Sequence, residues 1–152
     1  MSLAQRITDD MKAALLGGDR FRGDTLRGLK AAILNEEVAT GQRETGLSDA
    51  DAEKIVAREV KKRRESIALY EQNGRPELAE TEQKEVEVLQ TYLPKQLNEA
   101  EIQTVIDEVV ATLGDVSSQQ MGQVIGAVKA KTGTAADGAL VAQLVKTTLS
   151  GK

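Results

Sequence analysis

An arginine and two glutamates occupy helix positions that are normally apolar. The apolar stripe of a helix predicted to begin after Ser48 contains Arg63, and the stripe of the following helix contains Glu82 and Glu85. The apolar residues that define these stripes are Val56, Val60 and Ile67 in one helix and Leu78, Val86, Leu89 and Leu93 in the other. Charges at such positions are costly unless they are paired and hydrogen bonded. The sequence therefore predicts a partly buried ion pair or triad between the two helices.

Two hypotheses explain this charged set. In the first, Arg63 pairs with Glu82 or Glu85 and fixes the register of the two helices. In the second, the paired carboxylates form an acid–base or metal site. No third carboxylate, histidine or glycine-rich phosphate loop accompanies the two glutamates. The structural hypothesis is therefore favoured, and neither a catalytic residue nor a metal ligand is assigned.

A basic strip is predicted on the opposite side of the first of these helices. Its candidate phosphate-binding residues are Lys54, Arg58, Lys61 and Lys62. Acidic residues are interspersed with them, so a solvated face with charge pairs one turn apart would account for the pattern. The alternative is a surface that contacts phosphates and positions a nucleic acid without reading its sequence.

A helix predicted in the last third of the chain carries two glycines four residues apart. In a helix, Gly122 and Gly126 are each about 1 kcal/mol less favourable than alanine, so compensating packing is expected. A tight helix–helix contact is the simpler explanation. The alternative is a groove, bordered by Met121, for a partner helix or an RNA backbone. The neighbouring lysines that could contact phosphates are Lys129, Lys131 and Lys146.

The elements that must position these residues are predicted to be helices throughout. Capping signatures at Ser2, Ser48, Asn98 and Asp137 mark helix starts. The fourth helix is expected to run to Leu93, where Pro94 ends it, and the sixth to run from about Ser118 to Lys131. The expected fold class is all-α. An N-terminal four-helix bundle or array spans residues 1–93, a linker spans 94–97, and a small three-helix domain spans 98–152.

Composition excludes several kinds of function. The 152 residues include no cysteine and no histidine, which excludes Cys or His catalysis and His- or Cys-based zinc sites. Three aromatic residues are too few to favour a reader that stacks nucleic-acid bases. The net charge is −4, no apolar run suits a membrane span, and no signal-peptide pattern opens the chain. We therefore expect a cytoplasmic protein without a cofactor, and neither a membrane nor DNA as partner.

Several motifs resemble the YqeY-like protein family. In the first part they are Leu26-Arg27-Gly28-Leu29, Gly74-Arg75-Pro76-Glu77-Leu78-Ala79 and Tyr92-Leu93-Pro94. In the second part they are the stretch 121–131, Ala136-Asp137-Gly138 and Leu144-Val145-Lys146. This second part also resembles the tail domain of the B subunit of glutamine-dependent Asp-tRNA/Glu-tRNA amidotransferase. Family members often carry lysine after the Met-Gly pair, where this chain has Gln123.

The resemblance implies a helical appendage that contacts tRNA, since amidotransferase chemistry occurs in other domains of that enzyme. It also carries a family-level label of carbon–nitrogen ligase activity with glutamine as amide donor. This chain shows no ATP site and no glutaminase nucleophile, so we expect a non-catalytic accessory protein that binds tRNA or another structured RNA, with a possible protein partner in translation. The alternatives are a protein-interaction module without nucleic acid and a subunit-like component of a ligase.

Overall fold

The computed structural model describes residues 1–151, and the all-α prediction is confirmed. This part of the chain forms seven α-helices and two short 3-10 turns, and it contains no strand. The helices of the first part are α1 (Leu3–Leu16), α2 (Arg20–Ala39), α3 (Asp49–Gln72) and α4 (Pro76–Gln90). Those of the second part are α5 (Glu99–Leu113), α6 (Met121–Thr132) and α7 (Gly138–Ser150). No helix among the described residues is both long and apolar enough for a bilayer.

The chain divides into two compact units, each with its own apolar core. The first unit comprises Met1–Leu93 and contains α1 to α4, and the second begins at Pro94 and contains α5 to α7. Fully buried side chains of the first core include Ile7, Leu26, Leu29, Val56 and Leu89. Those of the second include Ile102, Ile106, Val124, Val128, Val141 and Val145.

Helix α1 packs closely against α2 at a buried glycine. A Cβ atom built on Gly23 would lie 2.7 Å from Cγ of Leu15, which is closer than carbon atoms can approach. Glycine at this position therefore lets the two helices meet. Helical spacing does not predict this role of Gly23, because nothing in it marks the point at which a second helix crosses.

Tyr92 joins the end of α4 to α1 and α2. Its hydroxyl donates a 2.6 Å hydrogen bond to Asp10 and accepts one of 3.4 Å from Arg22. The guanidinium carbon of Arg6 lies 4.8 Å from the ring centroid, a cation–π geometry. Burial, followed by the hydrogen bond to Asp10, raises the pKa of Tyr92 to about 12. Tyr92 is therefore a neutral phenol in the folded first unit.

The turn between α3 and α4 sets these two helices side by side. Asn73 ends α3, Gly74 has a positive φ of 71° that suits glycine, and Pro76 begins α4. Helix α4 was expected to reach Leu93 but ends at Gln90. The next amides bind carbonyls three residues earlier, Tyr92 to Leu89 and Leu93 to Gln90, which tightens the last turn.

In the second unit, α5 begins with a complete capping box. The Asn98 side chain accepts from the Glu101 amide at 2.8 Å, and the Glu101 carboxylate accepts from the Asn98 amide at 3.1 Å. Helix α6 was expected to start near Ser118, but that residue lies in a 3-10 turn, Ser118–Gln120. The segment 94–97 is bonded to this unit, since the Leu97 amide donates to the Ala135 carbonyl at 2.8 Å.

Candidate functional site

The side chain of Arg63 extends from α3 toward α4 and binds two carboxylates. Its Nε donates to Glu85 at 3.1 Å, and its Nη1 donates to the Glu59 carboxylate at 3.2 Å and to the Glu59 carbonyl at 3.1 Å. Glu59, which is only 7% exposed, was not predicted as a partner. The sequence does contain an indication of this pairing, because Glu59 precedes Arg63 by one turn and residues four apart share a helix face.

Glu82 lies in the same group but is not bound to Arg63. Burial raises the pKa of Glu82, and the charge of Glu85 and a hydrogen bond with it act in the same direction, while Arg63 partly opposes them. The group lines a shallow depression of about 200 Å³ whose lining residues are Glu59, Lys62, Arg63, Ser66, Glu82 and Glu85. The predicted pairing of Arg63 with either glutamate thus resolves to Glu85, with Glu59 as the second partner.

The depression offers little for bond-making chemistry. Its one hydroxyl, Ser66, donates to the carbonyl of Lys62 at 3.2 Å. Within residues 1–151, no three acidic side chains are grouped so that they could hold a metal ion. An arginine shared by two carboxylates across two helices is the arrangement expected of a structural contact, which favours the register hypothesis.

Most cations of the predicted basic strip on α3 are held by nearby carboxylates. Lys54 lies 3.9 Å from Asp51, and Arg58 lies 3.8 Å from Glu36. Lys62 lies 3.4 Å from the Glu59 carboxylate. Within the described part of the chain, Lys61 is the strip residue with no carboxylate within 4 Å. The strip therefore presents much less free positive charge than its sequence indicates.

The glycine side of α6 is open. Neither Gly122 nor Gly126 has a heavy atom within 4 Å of the position that a Cβ would occupy. The tight internal contact considered for these glycines is therefore absent from the described structure. Met121, expected to border the groove, is half-buried and packs against the core of the second unit instead.

The three candidate lysines of the second unit are all exposed, but they do not share one face. Lys129 lies three residues after Gly126 and so shares its side of α6. Lys131 lies about 200° further around the helix, on the opposite flank.

Lys146 continues a row of small residues on α7. Gly138, Ala142 and Lys146 follow one another at intervals of four residues, and Nζ of Lys129 lies 3.7 Å from the Cβ position of Gly138. The row thus has a lysine at each end. The two ends lie about 12 Å apart along the helix axis.

Charge is segregated within the second unit. Its acidic residues before position 116 are Glu99, Glu101, Asp107, Glu108 and Asp115. From Val116 to the end of the sequence, Asp137 is the single acidic residue, against four lysines. No carboxylate lies within 4 Å of Lys129, Lys131 or Lys146 in residues 1–151. These lysines are thus available to an anionic partner, unlike most cations of α3.

Comparison with known proteins shows the family to which the chain belongs. The model of the family described as Yqey-like protein matches residues 4–149. The chain belongs to the YqeY-like family. The resemblance inferred from the motifs is thereby confirmed over almost the entire sequence.

Several curated relatives of the chain share one name. The proteins named "Altered inheritance of mitochondria protein 41, mitochondrial" from Kluyveromyces lactis and Eremothecium gossypii are 31% and 34% identical to it over 130 and 87 residues. The matches cover 83% and 57% of this chain, and 69% and 46% of those proteins. The protein of that name from Lachancea thermotolerans is 28% identical over 68% of this chain and 56% of its own length. The chain thus spans about half to two thirds of these relatives.

These names contradict the expected cytoplasmic location. All three relatives are called mitochondrial proteins. The expectation was wrong because it took the missing signal-peptide pattern as evidence for the cytosol. The composition of a helical protein without cysteine does not distinguish the cytosol from the interior of an organelle.

Proposed function

We propose that this YqeY-like chain is a non-catalytic RNA-associated protein whose α6–α7 surface contacts the phosphate backbone of tRNA or a similarly structured RNA. The observation that carries this proposal is the pair Lys129 and Lys146, exposed at the ends of the small-residue row and without a carboxylate within 4 Å in the described residues. Lysines in this state can neutralise phosphates without first breaking an ion pair.

The open glycine side of α6 adds to this support. Without side chains at Gly122 and Gly126, an RNA backbone can approach the helix closely beside Lys129. The second unit contains no aromatic residue, so base stacking cannot contribute to its affinity. Recognition would therefore depend on backbone shape and charge, as expected for a folded RNA. The resemblance to the amidotransferase tail domain points to the same class of ligand.

Charge reversal of the two row lysines tests the site. We expect the Lys129→Glu, Lys146→Glu double variant to bind purified tRNA at least tenfold more weakly than the wild type in fluorescence anisotropy at low salt. Lys131→Glu is the matched control, because it makes the same charge change on the opposite flank of α6. Equal weakening by the control, or undiminished binding when all three lysines are reversed, would contradict the assignment.

A second variant separates binding from folding. Because Gly122 and Gly126 are open, replacing both with alanine should stabilise α6 by about 1 kcal/mol per site. The added methyl groups should nevertheless weaken tRNA binding if RNA approaches this side. A higher melting temperature together with unchanged tRNA affinity would remove the glycine side from the proposed contact.

A further inference from the structure

The stretch that contains α5 carries negative charge that the rest of the protein does not neutralise. Residues 96–128 include no lysine or arginine, yet five acidic side chains fall within them. Among residues 1–151, no cation lies within 4 Å of any of these five carboxylates. They belong to Glu99, Glu101, Asp107, Glu108 and Asp115. The stretch therefore remains available to a positively charged surface of another molecule.

Two of these glutamates lie in line on α5. Glu101 and Glu108 are exposed and seven residues apart, so they project from the same side of the helix, about 10.5 Å apart along its axis. Oε1 of Glu101 is the acceptor in the capping box, which leaves Oε2 for a partner. Between the two glutamates lie Thr104 and the half-buried Val105, which are too short to keep another helix away.

The α6–α7 surface carries the opposite charge at a similar spacing. Lys129 and Lys146 stand at the two ends of the small-residue row, about 12 Å apart along the axis of α7. Neither has a carboxylate within 4 Å in the part of the chain that the structure describes. The one acidic residue of this stretch, Asp137, serves as the N-cap of α7. Between the lysines the row consists of Gly138 and Ala142, so another helix can approach closely.

The two charged surfaces cannot meet within one copy of the second unit. Helix α5 buries Ile102, Ile106 and Val109 in the contact with α6 and α7, so its Glu101 and Glu108 side faces away from both helices. Surfaces of one small unit that are complementary in charge and spacing but point in different directions can pair between two copies.

We propose that the Glu101 and Glu108 side of α5 binds the Lys129 and Lys146 side of a second copy of this chain. Both ion pairs form at once, because the difference between about 10.5 Å and about 12 Å is within the reach of a flexible lysine side chain. Exposed ion pairs are individually weak, so the dissociation constant is on the order of 0.1–1 mM at low salt.

This contact goes beyond the proposed RNA binding but uses the same two lysines. Self-association and RNA binding therefore exclude one another, a consequence that rests on the proposed function, whereas the contact itself does not. An RNA backbone presents a longer row of negative charges than two glutamates, so RNA displaces the second copy.

Sedimentation velocity of the full chain tests the contact. At low salt the average sedimentation coefficient should rise with protein concentration. The rise should disappear in about 1 M salt, where the Debye length falls to about 3 Å. It should also disappear at low salt in the Glu101→Gln, Glu108→Lys variant, in which glutamine can still complete the capping box, and in the Lys129→Glu, Lys146→Glu variant.

A mixture of these two variants is the decisive sample. Neither should self-associate, but an equimolar mixture should, because the lysine introduced on α5 meets the glutamates introduced on α6 and α7. The matched control is the Glu71→Gln, Glu87→Lys variant, which makes the same charge change on two exposed residues of the first unit. It should self-associate at least as strongly as the wild type, and circular dichroism should show equal helix content in all variants.

The proposal is overturned if the wild type stays monomeric at low salt up to about 1 mM, the weakest affinity expected. It is also overturned if the mixture does not associate, or if the α5 variant self-associates as the control does. Anisotropy with tRNA at low protein concentration separates the two proposals. If the α5 variant and the wild type bind tRNA equally while no self-association occurs, this inference alone fails. If the chain self-associates as described but tRNA neither binds nor dissociates it, the proposed function alone fails.

Discussion

Glu82 and Glu85 have the same chemistry and lie three residues apart on α4, yet they have different neighbours. Glu85 accepts a 3.1 Å hydrogen bond from Arg63, whereas burial and the charge of Glu85 raise the pKa of Glu82. The folded protein therefore holds a proton on Glu82 more tightly than the unfolded chain does. The resulting stability is complete below about pH 4.3 and is lost as pH rises through the raised pKa. Once ionised, Glu82 opposes folding, because its buried charge is close to that of Glu85.

Single amide substitutions at these positions should consequently act in opposite directions. At pH 7, we expect Glu85→Gln to lower the free energy of unfolding by about 1–2 kcal/mol, because Arg63 loses a charged partner in a part-buried site. Glu82→Gln should leave the protein at least as stable as the wild type. Urea denaturation at pH 7 and pH 4 provides the measurement. Equal losses for the two variants at pH 7 would show that the pair acts as one unit.

At this scale, the sequence predicts which residues are unusual but not how they pair. Helical spacing places Arg63, Glu82 and Glu85 in apolar stripes, and the structure brings all three to one depression. Spacing cannot choose between the glutamates, because both project toward the same side of α4. Glu59 was grouped with the solvated charges of α3, because its burial depends on how α4 packs, which no local pattern records.

At the scale of helices, two glycines of α2 have opposite surroundings. Gly23 faces Leu15 of α1 at a separation too small for a side chain, whereas Gly28 has nothing within 4 Å of its Cβ position. Both lie inside a helix, so alanine improves helix propensity equally at the two positions, by about 1 kcal/mol. Any difference between the two substitutions therefore reports the packing of α1 on α2.

We expect Gly28→Ala to stabilise the protein by about 1 kcal/mol and Gly23→Ala to be less stable than Gly28→Ala by about 1–3 kcal/mol, the usual cost of overpacking. Chemical denaturation of both variants gives the comparison, and Gly28→Ala is the helix-propensity control for Gly23→Ala. If both variants gain the same stability, Leu15 moves aside without cost and the close approach at Gly23 does not constrain the helices.

Helix starts were more predictable than helix ends. The caps expected at Ser2, Ser48, Asn98 and Asp137 all accept a backbone hydrogen bond, because capping depends on a few neighbouring residues. The end of α4 was misplaced by the assumption that a helix continues to the residue before proline. The start of α6 was misplaced because Ser118–Gln120 forms a 3-10 turn, whose spacing is close to that of an α-helix.

At the scale of the molecule, the net charge of −4 is distributed unevenly along the chain. Residues 71–87 carry six glutamates against two cations, whereas the stretch from Val116 onward carries four lysines and one acidic residue. A chain with this distribution is not drawn to RNA by its overall field, so affinity must come from a small number of local contacts.

The salt dependence of tRNA binding measures how many contacts there are. Each phosphate contact contributes about 0.9 to the slope of log K against log salt concentration, so Lys129 and Lys146 with at most one further lysine predict a slope of about −2 to −3. Charge reversal of Lys129 and Lys146 should bring the slope close to zero. A wild-type slope near −6 would require the α3 strip to participate, which in turn would require Lys54, Arg58 and Lys62 to leave their carboxylates. Titrations of the full chain between low and moderate salt distinguish these cases.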